Sequence, residues 1–121
     1  MKSALSWFEI PVVDMDRAMK FYEGVLKAPL RRGDFFGTDT AVFKAERPGV
    51  AGALIRQEKV HPQSDGTLVY LNLTGQLDAA LGRVQGAGGA VLLPKTSIGD
   101  MGEIAIIRDS EGNRVGFHSE K

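Results

Sequence analysis

Glu9 is the residue in this sequence that most needs a chemical reason. It interrupts the apolar run from Leu5 to Val13, where a charge is costly unless it meets water, a partner or a ligand. As a functional group it is a general base or a hydrogen-bond acceptor. As a structural group it pairs with Arg56, Arg114 or a backbone amide, and the sequence leaves both readings open. His118 and Arg56 each close a strand-like run. Together they would hold an anionic group, the imidazole as one donor and the guanidinium as a two-pronged one; solvated strand ends are the plainer alternative. Tyr70 and Asn72 supply a hydroxyl and an amide on alternate positions of another short run. They either orient a substrate oxygen or serve as a wall residue with a wet tip and a strand-end hydrogen bond.

Other chemistries are excluded by composition. Cysteine is absent, which removes disulfides, thiolate nucleophiles and Cys-ligated metals together. No Ser-His-Asp order and no dinucleotide fingerprint is present. Gly86, Gly88 and Gly89 are not followed directly by a Lys-Ser/Thr pair or by a helix, so they read as a helix end and turn. Fifteen Lys plus Arg balance fifteen Asp plus Glu, leaving no surplus positive field for nucleic acid or an anionic membrane surface. No apolar stretch approaches the ~20 residues of a membrane span, and Trp7 and Glu9 break the run that a secretory signal would need. The expected setting is cytoplasmic.

The elements that must position these groups are short. With 121 residues, of which 43% are hydrophobic, the chain can bury one core. Alternation of Phe8, Ile10 and Val12 against Trp7, Glu9 and Pro11 predicts a half-buried strand. Asp14 or Asp16 caps a helix whose apolar residues Ala18, Met19, Phe21, Tyr22, Val25 and Leu26 recur at helical spacing until Pro29 stops it. Three strand-like runs follow, Leu30 to Phe36, Thr40 to Ala45 and Ala51 to Gln57, separated by turn residues. The order then restarts: strand Leu68 to Leu73, helix Leu77 to Gln85, and strands Ala90 to Leu93, Glu103 to Arg108 and Arg114 to His118. Two βαβββ modules, about 1–57 and 67–121, are predicted, with Tyr70 in the place of Glu9.

Trp7 through Asp14, followed by Asp16-Arg17-Ala18-Met19-Lys20-Phe21-Tyr22, resembles the opening of the glyoxalase, bleomycin-resistance and extradiol-dioxygenase group, the vicinal oxygen chelate superfamily. The segment Asp109-Ser110-Glu111-Gly112-Asn113-Arg114-Val115 resembles its closing turn and last strand. The resemblance spans essentially the whole chain. It implies an α+β fold in which paired modules form a curved mixed sheet around a cleft, commonly completed by a second subunit as a homodimer. It also implies a divalent metal held by His and Glu or Gln from the cleft-facing sides of strands. Carried over position by position, those ligand places fall on Trp7, Leu68, Gly116 and Leu54. None of the four offers a metal donor, so no metal and no other cofactor is expected.

The resulting expectation is a glyoxalase-like or bleomycin-resistance-like protein binding a small organic molecule. Trp7, Leu54, Arg56, Leu68, Tyr70, Asn72 and Gly116 line its cleft, with Glu9 and His118 as candidate catalytic groups. The alternative is a small lyase or isomerase of the glyoxalase or epimerase kind using Glu9 and His118 for proton transfer, with Arg56 or Tyr70 stabilising the developing charge.

Overall fold

The first helix begins where its capping residue requires. In the computed structural model, which describes residues 3–121, the Asp14 carboxylate accepts a hydrogen bond from the Arg17 amide at 3.0 Å. Helix α1, Met15–Leu26, buries Met15, Ala18, Phe21, Tyr22 and Val25 along one stripe and ends at Lys27 in the left-handed conformation. Strand β1, Trp7–Pro11, precedes it, and β2, Leu30–Phe35, β3, Thr38–Phe43, and β4, Ala51–Arg56, follow. The second half repeats the order with β5, Tyr70–Asn72, α2, Leu77–Val84, β6, Ala90–Ser97, β7, Glu103–Arg108, and β8, Arg114–Ser119. A short 3-10 turn, Gly99–Met101, joins β6 to β7.

Each half forms a four-stranded mixed sheet, ordered β1-β4-β3-β2 and β5-β8-β7-β6, with a parallel pair at the first-strand edge. The two helices lie between the sheets and touch each other. Ile10, Leu54 and Ala41 of one sheet, Leu71, Phe117, Ala105 and Ile107 of the other, and the apolar faces of both helices make one core. This is a paired βαβββ arrangement of an α+β fold. The opposite face of each sheet is turned away from the helices. No helix among the described residues is long and apolar enough to cross a membrane.

The halves are latched by the turn between β7 and β8. Gly112 takes a positive φ of 96° there, a conformation that suits a residue without Cβ. Buried Asp109 accepts hydrogen bonds from the Glu111 and Asn113 amides at 2.8 and 2.9 Å and from the Tyr22 hydroxyl of α1 at 2.6 Å. Burial, and then the neighbouring Asp109 carboxylate, push the Tyr22 hydroxyl well above its ordinary value. The Asn113 amide donates to the Pro11 carbonyl at 2.8 Å. Glu111 reaches across to accept from the Val13 and Asp14 amides at 2.9 and 2.8 Å and from Arg17 at 2.6 and 3.0 Å. Burial pushes this carboxyl up, but the Arg17 guanidinium and those amides outweigh it and hold it down at about 2.

The strands differ from the sequence expectation at their ends. β1 starts at Trp7 instead of Leu5, and β5 is only three residues long, so Leu68 lies ahead of it. β6 continues past Leu93 to Ser97 through two register shifts. It is an edge strand, where Pro94 and the polar residues after it are tolerated because one side of the backbone makes no ladder.

Candidate functional site

Strand alternation decides what each sheet presents away from the helices. Phe8 and Ile10 point to the core and Trp7 and Glu9 to the other side, as the phase of β1 predicts. Trp7 is 44% exposed, and its indole N–H donates to Glu9 Oε2 at 3.3 Å. Opposite them on β4 stand Ala51, half-buried, and Ala53, fully buried. Neither Arg56 nor Arg114 forms an ion pair with Glu9 among the described residues; the indole is its partner.

The corresponding face of the second sheet carries Tyr70, Asn72, Gly116 and His118, with Ile104 and Ile106 of β7 alongside. The exposed Tyr70 ring lies across Gly116, so that a side-chain carbon on residue 116 would overlap it. Asn72 Oδ1 accepts from the Thr74 amide at 3.1 Å, a strand-end bond. His118 is half-buried and its Nε2 donates to the Met101 carbonyl at 2.6 Å. The Gly99–Met101 turn therefore folds against the end of this face, a contact the sequence reading missed. The glycines that flank Asp100 and Met101, both at positive φ, were the available signal.

Two of the expected cleft residues lie elsewhere. Leu54 is fully buried in the core against the helices. Arg56 is on the helix side too, donating to the Val13 carbonyl at 3.1 Å beside Asp39 and Asp14. The cause is a slip of one residue between the modules. Glu9 faces Ala53 across the first parallel pair and Tyr70 faces Gly116 across the second, so Ala53, not Leu54, corresponds to Gly116, and Ile55 corresponds to His118. With a side-chain period of two, such a slip exchanges the faces. Leu68, just before β5, is half-buried. Arg56 and His118 are thus not brought together by matched positions.

Three hollows border these residues. A groove of about 310 Å³ between the β1 edge and the segment ahead of β5 is lined by Glu9, Pro11, Asp65, Thr67 and Arg114. An apolar hollow of about 580 Å³ is bordered by Leu5, Phe8, Leu26, Phe43, Tyr70 and Asn72. A polar depression of about 500 Å³ at the start of α1 holds Arg17, Arg32, Asp39 and Arg56.

The sequence model of the Glyoxalase/Bleomycin resistance protein/Dioxygenase superfamily matches residues 4–117. The chain belongs to this superfamily. A glyoxylase/bleomycin resistance protein/dioxygenase domain from a Frankia species is similar at 20% identity, with a TM-score of 0.75 and 98% of each chain covered. A glyoxalase/bleomycin resistance protein from Albidiferax ferrireducens is 19% identical, with a TM-score of 0.73 over 98% of this chain and all of that one. The fosfomycin resistance protein FosX of Listeria monocytogenes is 14% identical, with a TM-score of 0.72 over all of this chain and 94% of that one. At such identities these structures establish the fold. No curated protein is significantly similar in sequence.

Superfamily chemistry commonly uses a divalent ion, and the residues present here do not fit one. The places to which the resemblance carries the first, second and last ligands hold Trp7, Leu68 and Gly116, and the first-module residue that corresponds to Gly116 is Ala53. Indole, alkyl and glycine positions supply no suitable lone pair, and at residue 116 the Tyr70 ring takes the space a ligating side chain would need. Among the described residues no three His, Cys, Asp or Glu side chains converge as an ion would require.

Proposed function

We propose that this superfamily member binds a small organic molecule on the sheet faces turned away from the helices, and that it does so with side chains alone. The observation that supports this most directly is the exchange at the superfamily's ligand places: an indole at residue 7 and a glycine under the Tyr70 ring at residue 116. Both substitutions replace a donor by flat aromatic surface, the usual wall of a small-molecule site, with Glu9, Asn72 and His118 as the few polar groups that set orientation. A second copy of the chain completes the cleft in this reading, bringing the exposed Trp7 and Tyr70 faces under cover.

Proton transfer by Glu9 and His118 has less support. The two stand on different sheets, and the His118 Nε2 is engaged by the Met101 carbonyl.

Trp7 is the only tryptophan in the chain, so its emission reports on the proposed face without a label. Protein treated with EDTA is titrated with a panel of small organic compounds. Saturable changes in emission that survive the chelator are expected for some of them. If every emission change requires added divalent metal, the reading is wrong.

A further inference from the structure

The Trp7–Glu9 pair has the chemistry of a cation receptor. The indole N–H donates to Glu9 Oε2 at 3.3 Å, which places negative charge at the ring edge and raises electron density on the ring face. Positive charge over a tryptophan face is the best of the cation–π arrangements. Glu9 Oε1 has no hydrogen-bond partner among the described residues, and Glu9 takes part in no ion pair among them. The ring is 44% exposed, and the Glu9 side chain is exposed beside it.

The charge of the adjoining groove sums to negative. The groove that Glu9 lines also holds Asp65 and Arg114. The Arg114 guanidinium donates to the Gly66 carbonyl at 3.4 Å and makes no ion pair with Glu9 among the described residues. Two carboxylates against one guanidinium leave the groove net negative.

We infer that the ligand of this face carries an organic ammonium group, held between the Trp7 ring and the Glu9 carboxylate. The inference rests on the organic-ligand reading above and adds the charge of the ligand to it. An anion is disfavoured at Glu9, and an uncharged compound gains only the ring contact.

The test compares benzyltrimethylammonium, benzyl alcohol and benzoate as probes, read by Trp7 emission in EDTA-treated protein and in Glu9→Gln. The cation is expected to bind at least about tenfold more tightly than the other two, to weaken with salt, and to lose that advantage in Glu9→Gln. Calorimetry with Trp7→Phe supplies a second reading, in which the cation binds more weakly than to the parent protein. Equal binding of cation and alcohol, or an undiminished cation preference in Glu9→Gln, overturns this inference alone and leaves the organic-ligand reading standing. Silence of the indole toward all three probes, with no heat of binding, counts against both.

Discussion

The ring of Tyr70 lies across Gly116, on the strand where the superfamily's last metal ligand would stand. A side-chain carbon at residue 116 would therefore force the Tyr70 ring to shift. Gly116→Ala is expected to cost about 1–3 kcal/mol by overpacking, and much less when Tyr70 is also Ala. Urea denaturation of the two single variants and the double variant measures the coupling; independent effects would mean that the ring does not hold this position.

Glu111 ties the second module to the start of α1 through Arg17 and two amides. Glu111→Gln keeps the shape and removes the charge, so a loss of about 1.5–3 kcal/mol is expected at neutral pH. The folded carboxyl sits at about 2 against an ordinary 4.5, so its contribution is fully present above pH 4.5 and is lost as pH falls toward 2. Denaturation curves should therefore show the gap between parent and variant closing across that window. A gap that stays constant would contradict the assignment.

Leu54 and Arg56 separate packing from ligand contact. Leu54→Ala opens the core and is expected to lower stability by about 2–5 kcal/mol, with ligand affinity of the folded protein unchanged. Arg56→Ala, on the helix side, should leave affinity within about twofold. Strong loss of affinity in Arg56→Ala at unchanged stability would restore Arg56 to the cleft.

The proposed second copy has a direct consequence. Trp7 and Tyr70 are each more than 40% exposed in the single chain, and the second copy would cover both. Sedimentation equilibrium should return twice the chain mass of 13.1 kDa. A species of the single chain mass at micromolar concentration would remove the shared cleft.

Much of this was legible in the residues. The two-residue alternation from Trp7 to Pro11 fixed which side of β1 carries the indole and the carboxylate, and the Asp109–Asn113 turn announced the last strand. What escaped was relational. Leu54 and Arg56 lie on the helix side because the parallel pairs Glu9–Ala53 and Tyr70–Gly116 set the correspondence between the modules, one residue away from the place carried over to Leu54. The Glu111 latch spans 94 residues to Arg17, and no local pattern marks which charged residue in a turn will reach that far. β6 ran on because an edge strand has only one neighbour to satisfy, so its polar residues looked like loop.

The account turns on the Trp7 indole meeting an organic ligand with no ion between them. The most direct measurement is the position of the single indole N–H resonance in EDTA-treated protein as the tightest compound from the emission panel is added. A saturable shift, with the same binding constant with or without the chelator, is predicted. An indole resonance that stays in place until zinc or manganese is supplied would contradict the account.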